Sequence, residues 1–352
     1  MFKNEMTYLC SMEQFMQRAL ELAARGMGAV APNPMVGCVI VHNNRIIGEG
    51  WHRQFGGPHA EVHAIESVTN RSLLPDATLY VSLEPCNHFG KTPPCSNMII
   101  EAGIRNVVIA TKDSFSKVSG AGIKHLEAHG VRISIGILEA EARHLNRRFF
   151  TYHEKKRPYI ILKWAQSADG FMDRLRTAGD KGQFKLSGKE AHTLLHRYRS
   201  EEAAILVGRT TIEVDNPQLT TRIWPGKHPL RVVLDPHKRL SSEYTVFSDG
   251  QPSWRMTFDT PEMERTDAVK PCSETAYLNE VLMHLYEAGI QSVLVEGGRF
   301  TLDAFIKEQL FDEVRVFISD ITLGAGLPAP ALPDGAYTRQ MAGADEVYNM
   351  YR

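Results

Sequence analysis

Three metal-binding side chains placed far apart along this chain must meet at one point, and that requirement limits the fold more than any other feature. His59-Ala60-Glu61-Val62-His63 is followed by Pro85-Cys86 and then by Cys95. Taken singly, each histidine or cysteine would be read as ordinary core. Together they offer one imidazole and two thiolates to Zn²⁺, leaving a fourth position for water, whose pKa the metal lowers towards roughly 7. Glu61 stands two residues after His59, placed to move a proton and not to ligate. This is the residue set of hydrolytic deamination, in which a free carboxylate takes the proton of water and returns it to the departing nitrogen. His59 and His63 are four apart, as in a zinc-protease helix, but that pattern needs Glu directly after the first His, where Ala60 stands. One Zn²⁺ per chain on His59, Cys86 and Cys95 is expected, with Glu61 catalytic and His63 a supporting residue.

Eight residues, Asn87 to Pro94, separate the cysteines where nucleoside and RNA deaminases normally have two. A loop pinned at both ends to a metal can present His88, Lys91 and Thr92 to an anion beside the reacting ring. The runs Pro32-Asn33-Pro34-Met35-Val36-Gly37-Cys38-Val39-Ile40, His59 to His63 and Leu83-Glu84-Pro85-Cys86 through Pro93-Pro94-Cys95 resemble the bifunctional deaminase–reductase family of riboflavin biosynthesis. The resemblance implies a cytidine-deaminase-like fold and deamination of 2,5-diamino-6-ribosylamino-4(3H)-pyrimidinone 5′-phosphate. By motif match it implies substrate contacts at Asn33, His52, His88, Lys91 and Thr92. For Asn33 the chemistry is plain, since an amide offers a donor and an acceptor to a heterocycle edge.

At 352 residues the chain can build two ordinary domains. Hydrophobic residues are 43% and charged ones 23%, with no apolar run long enough for a bilayer, so a soluble protein without a membrane partner is expected. A net charge of −1 and a pI near 6.9 argue against a nucleic-acid partner, which calls for clustered Lys and Arg. Five cysteines, two of them claimed by zinc, and a start without a secretory pattern fit the cytoplasm.

Periodicity predicts a helix from about Met12 to Met27, strands at Gly37–His42, Arg45–Gly50 and Thr78–Leu83, and helices opening at His59 and near Ser96. Further strands at Asn106–Thr111 and Val131–Ile135 flank a helix near Gly122–His129, completing an α/β/α sandwich over residues 1–150. Helix starts then face the metal, where their positive ends favour thiolate. Thr151 to Arg157 reads as a linker. After Pro158 the pattern restarts, with strands at Tyr159–Trp164, Ala203–Val207, Leu230–Leu234, Ser292–Val295 and Glu313–Ile318. Helices at Lys189–Ser200, Leu278–Glu287 and Thr301–Gln309 alternate with them, so residues 158–352 form a second α/β domain.

The second half has no G-x-G-x-x-G after an early strand, so a Rossmann fingerprint is absent. Ser292 to Arg299 instead reads as a strand entering two glycines before a helix, where backbone can approach a phosphate. With Lys163-Trp164-Ala165-Gln166-Ser167-Ala168-Asp169-Gly170 and Asp215-Asn216-Pro217-Gln218-Leu219-Thr220-Thr221-Arg222, it resembles the pyrimidine reductase domain of the same family. That implies a dihydrofolate-reductase-like fold and NADPH-dependent reduction of the ribosylamino group to ribitylamino. NADPH contacts carry to Ala165, Ser187, Thr211, Asp215 and the segment Gly298, Arg299, Phe300, Thr301, Leu302, Asp303, Ala304. Substrate contacts carry to Lys163, Arg199, Leu219, Arg222 and Glu296, the arginine forks suiting a phosphate. Lys163 and Asp215 are also candidates for proton handling. Gln183 and Lys185 depart from the family pattern, and no contact is assigned to them. A homo-oligomer formed through the reductase domain is a further expectation. Competing readings are an RNA adenosine deaminase, opposed by the long loop and lack of basic charge, and a zinc-stabilised interaction protein, for which Glu61 and the paired glycines would be unneeded.

Overall fold

A computed structural model describes residues 2–87, 93–114, 120–258 and 274–352, with side chains described from Met12 onward and, after the last break, from residue 276. The chain divides into two compact units, Met1–Lys155 and Lys156–Arg352.

The first unit holds strands β1 (Gly37–His42), β2 (Arg45–Trp51), β3 (Thr78–Leu83), β4 (Asn106–Thr111) and β5 (Arg132–Ile135). Its helices are α1 (Phe2–Ala24), α2 (Ala60–Ser67), α3 (Cys95–Glu101), α4 (Ala121–Ala128), α5 (Glu139–Leu145) and α6 (Arg147–Lys155). The strands run β2-β1-β3-β4-β5, with β1 antiparallel to both neighbours and β3, β4 and β5 parallel. Alternate residues of the central strands enter two cores, because successive side chains on a strand point to opposite faces. Cys38, Ile40, Leu79, Val81, Val107 and Ile109 pack with α2, α3 and α4, whereas Val39, Val41, Tyr80, Val108 and Ala110 pack with α1 and α5. The sandwich read from the sequence is therefore present. Gly37 permits it locally, since a Cβ there would sit 1.9 Å from the Ala19 carbonyl oxygen of α1.

The second unit has strands β6 (Tyr159–Gln166), β7 (Phe171–Arg174), β8 (Ala204–Gly208), β9 (Leu230–Leu234), β10 (Ser253–Met256), β11 (Ser292–Val295), β12 (Glu313–Ile318), β13 (Gly326–Pro328), β14 (Tyr337–Ala342) and β15 (Asp345–Tyr351). Helices α7 (Lys189–Glu201), α8 (Arg209–Asp215), α9 (Thr245–Ser248), α10 (Glu274–Glu287) and α11 (Arg299–Lys307) complete it. Eight strands form one sheet in the order β10-β9-β8-β11-β6-β12-β15-β14, parallel as far as β12 and antiparallel beyond. On β6, Ile160, Leu162 and Trp164 face the core beneath α10 and α11, while Tyr159, Ile161 and Ala165 face that beneath α7. A strand covered on both faces reads as a continuous apolar run, and Lys163 interrupts it.

Three expectations need correction. The first helix begins ten residues before Met12, at Phe2. The presumed linker is helical through Lys155, because Phe149 and Phe150 bury against Leu83 even though charged neighbours mask the pattern. The β14–β15 hairpin went unread, since β14 exposes most of its side chains and so lacks a clean apolar alternation.

Candidate active sites

In the first unit, His59 is the N-cap of α2, Cys86 follows the end of β3, and Cys95 opens α3. His59 Nδ1 lies 3.6 Å from Cys86 Sγ and 3.3 Å from Cys95 Sγ. A tetrahedral site with ordinary Zn–S and Zn–N bonds has an N···S edge of about 3.6 Å, so the spacing fits zinc. His63 lies outside this group of three. The Cys95 backbone N–H donates to Cys86 Sγ at 3.4 Å, an orphan helix-start donor turned on a thiolate. The hydrogen bond with the Cys95 thiol, above all, pulls the Cys86 thiol well below its ordinary value, against the opposing cost of burial. The bond with Cys86 raises His59.

Glu61, in the first turn of α2, is buried, and its Oε2 has no hydrogen-bond partner among the described residues. A buried carboxylate oxygen without a partner is costly. Burial accordingly raises the Glu61 pKa, favouring the form that holds a proton. Its carboxylate lies beside His59, Cys86 and Cys95, whose charges and hydrogen bonding act on it.

The surrounding motifs have structural parts as well. Asn33 Nδ2 donates to His52 Nε2 at 3.2 Å, and His52 Nδ1 donates to the Pro58 carbonyl at 3.0 Å. Both ring nitrogens of His52 are thereby engaged, and the ring orients the Asn33 amide. Asn146 Oδ1 accepts from the Met35 N–H and its Nδ2 donates to the Met35 carbonyl, both at 2.8 Å, tying the Asn33 loop to the turn between α5 and α6. The Glu84 carboxylate accepts from the backbone of Asp113, Gly120, Gly122 and Ile123, holding the start of α4 beneath the Cys86 turn. Asn146 and Glu84 escaped the sequence reading; only the position of Glu84 inside the Pro85-Cys86 motif signalled it. His88, Lys91 and Thr92 lie outside the described residues, whereas the loop's ends are fixed by the bonds Ser96 N–H to Cys86 O and Ser96 Oγ to Asn87 Oδ1.

In the second unit, Arg199 of α7 grips Glu296, just beyond β11, with two bonds of 2.8 and 2.7 Å, and its Nη1 reaches the Thr220 carbonyl at 3.2 Å. Burial would push Glu296 up, but Arg199 holds it below its ordinary value. Lys163 is buried nearby with Nζ 5.1 Å from the Phe317 ring centre, and burial lowers its pKa despite Glu296. The Arg199 fork is thus engaged by Glu296 in this structure. Arg222 is exposed and bonded through Nη1 to Thr220 Oγ1.

Helices α8 and α11 each start at a glycine without a side-chain cap, at Gly208 and Gly298. Helix starts of this kind present unpaired N–H groups to a phosphate. Gly298 N donates to Thr211 Oγ1 at 2.9 Å, so two expected cofactor residues 87 positions apart meet here. Arg299 pairs with Asp303, Thr301 is buried, and Phe300 is exposed. Leu302 is buried in the core, and the partly buried Ala304 packs against it. Leu219 likewise buries its side chain, with φ +56°. Ala165 and Ser187 are partly exposed, beside the α7 core and before α7 respectively. Asp215 ends α8, and burial raises its carboxyl to about 6 although Arg176 Nη2 lies 3.6 Å away. Arg176, absent from the sequence reading, also reaches Asp173 and the Gly182 carbonyl.

Among the described residues no helix is long and apolar enough to cross a membrane. The family model for the cytidine and deoxycytidylate deaminase zinc-binding region matches residues 10–111, and that for the RibD C-terminal domain matches residues 158–342. The riboflavin biosynthesis protein RibD of Aquifex aeolicus is 39% identical over 90% of this chain and 88% of its own length. That of Escherichia coli is 35% identical over 89% of each chain. The crystal structure of a diaminohydroxyphosphoribosylaminopyrimidine deaminase/5-amino-6-(5-phosphoribosylamino)uracil reductase from Thermotoga maritima aligns with a TM-score of 0.84 at 38% identity, covering 98% of this chain and 99% of that one. The two α/β units are thus a cytidine-deaminase-like and a dihydrofolate-reductase-like fold. On this match along almost its whole length, the chain belongs to the RibD family of bifunctional riboflavin-biosynthesis enzymes, which join a zinc-dependent deaminase to an NADPH-dependent reductase.

Proposed function

We propose that residues 1–150 deaminate 2,5-diamino-6-ribosylamino-4(3H)-pyrimidinone 5′-phosphate and that residues 158–352 then reduce its ribosyl side chain to ribityl. The observation that carries the first half is the unpartnered Oε2 of Glu61 beside His59, Cys86 and Cys95. Those three residues hold zinc, which when bound acidifies a water molecule. Glu61 takes the proton of the attacking water on its carboxylate and passes it to the amino nitrogen as ammonia leaves. Its raised pKa suits a group that must both accept and release that proton. Asn33, oriented by His52, reads the pyrimidine edge, and His88, Lys91 and Thr92 read the phosphate.

In the reductase unit the Gly298–Ala304 turn, Thr211, Asp215, Ala165 and Ser187 hold NADPH, which supplies a hydride for C1′ of the opened imine. The buried Leu302 serves through its backbone. Lys163 is the buried donor that protonates the ring-opened sugar, with Glu296 holding it in place, while Arg222 takes the phosphate. The loop carrying Leu219 is held in a conformation unusual for a side-chain-bearing residue, a form of strain associated with ligand sites. The net charge of −1 supports small-molecule partners and not nucleic acid. We place the enzyme in the cytoplasm. Copies would associate through the reductase unit, whose outermost strand β14 offers an edge unpaired among the described residues.

The test follows both products on one purified chain. Ammonia release should precede NADPH oxidation, and a zinc chelator should stop the first while sparing reduction of supplied deaminated substrate. Loss of both activities with folding intact would replace two sites by one composite site.

A further inference from the structure

His196 has no part in the reading above, yet the charges of Arg199, Arg222 and Glu296 all act on it. It shares one face of α7 with His192, four residues before it, and Arg199, three residues after it. Its ring is fully buried. Nδ1 accepts the backbone N–H of Arg222 at 2.9 Å, and Nε2 has no hydrogen-bond partner among the described residues. An imidazole that accepts at Nδ1 is neutral and carries its proton on Nε2. Burial, followed by Arg199, lowers the His196 pKa to about 4, so the accepting form prevails at neutral pH.

The bond matters because of what Arg222 is. Arg199 commits three nitrogens to Glu296 and Thr220, whereas Arg222 has protein partners only at Nη1 and its backbone N–H among the described residues. Its fork remains available, but it stands on an exposed stretch running through Lys227. A long side chain on an untethered backbone pays heavily in conformational entropy to meet a ligand. One anchor of that backbone is the buried, neutral ring of His196.

We propose that His196 is a positioning residue of the reductase: by accepting the Arg222 N–H it holds the Arg222 guanidinium where the substrate phosphate arrives. The proposal rests on the reading that Arg222 takes the phosphate, and the experiment separates the two. Reduction kinetics of the full-length enzyme are measured with the deaminated pyrimidine in phosphorylated and dephosphorylated form. His196→Leu should raise KM for the phosphorylated form about five- to tenfold, the cost of one lost buried hydrogen bond, with a much smaller change in kcat and in KM for the dephosphorylated form. His196→Asn, whose Oδ1 falls near the position of Nδ1, should restore most of the loss. His196→Gln, which places its amide further out, should not. If the leucine variant does not fold, Asn against Gln carries the comparison, and equal KM values for those two overturn the proposal. So does a rise shared equally by both substrate forms. Arg222→Ala is the separating arm: if it weakens both forms equally, the phosphate reading of Arg222 fails. If it is selective while His196→Leu is silent, only the positioning role fails.

Discussion

The two active sites differ in how their residues are gathered. All three metal ligands, and Glu61, the acid proposed to carry the proton, lie between His59 and Cys95, on segments joined to adjacent strands and helices. In the reductase the paired charges Arg199 and Glu296 stand 97 residues apart, and Thr211 and Gly298 stand 87 apart. A soft-metal site must use a few residue types in a strict geometry, so its chemistry marks the sequence. A nucleotide and sugar-phosphate site uses backbone donors, glycines and ion pairs that are common everywhere. The first kind can be read from residue chemistry, and the second only by likeness to relatives.

The sharpest test of that contrast separates ligation from proton transfer. Glu61→Gln should keep full zinc while ammonia release falls by roughly 10² to 10⁴ or more, because a positioned proton carrier contributes that much. Cys86→Ala should lose the metal itself, and neither change should touch reduction of the deaminated substrate. Metal analysis beside the two rate assays decides it; zinc lost from Glu61→Gln would make Glu61 a ligand.

In the reductase the corresponding blow falls on stability. Arg199→Ala strands Glu296, a buried carboxylate whose partner is gone, and removal of one member of a buried pair costs about 3–5 kcal/mol. Denaturant unfolding should show the reductase unit weakened by that order, with ammonia release intact in native buffer. An unchanged unfolding midpoint would mean that water already reaches Glu296 and that the pair is not the keystone inferred from its burial.

Strand and helix order was legible through most of both units, because buried central strands such as Gly37–His42 and Asn106–Thr111 are short apolar runs bounded by turn residues. Failure came where burial and composition disagree. Arg147–Lys155 carries its two buried phenylalanines among charged residues, and β14 has a mostly exposed surface. Within the sites, the zinc ligands could be named from spacing alone. His52 and Arg199 were legible as site candidates, but not their partners Asn33, Pro58 and Glu296, since sequence shows a side chain and not its hydrogen bonds. Asn146, Arg176 and His196 left no mark, because each acts on the backbone or carboxyl group of a distant residue.

Asn146 tests whether the compact deaminase site also depends on distant support. Asn146→Ala removes two bonds to Met35 and leaves a buried N–H and carbonyl without partners, a cost of about 1–3 kcal/mol. The loss should appear as a lower unfolding midpoint of the deaminase unit and a raised KM for the pyrimidine, because Asn33 lies two residues before the freed backbone. Zinc content should not change. A wild-type KM would show that the Asn33 loop is held by Gly37 and its strand alone.

The smallest expected effect is a pH slope confined to the reductase. Asp215 keeps its proton up to about pH 6 in the folded chain, against 3.8 for an unperturbed carboxyl, because burial disfavours its charge more than Arg176 at 3.6 Å relieves it. Between those two values the folded state binds more protons than the unfolded one. Its contribution to stability is therefore fully present below about pH 4 and is lost as pH rises through about 6. Asp215→Asn is neutral at every pH and lacks that slope. Unfolding midpoints of the reductase unit, taken from pH 4 to 7 for both proteins, should show the wild type losing ground to the variant across the window and running parallel to it above. The depressed His196 contributes the opposite trend, since its stabilisation is present above 6.5 and lost as pH falls towards about 4, but it is common to both proteins and cancels in the difference. Parallel curves throughout would mean that Asp215 is solvated and ionised like a surface carboxylate.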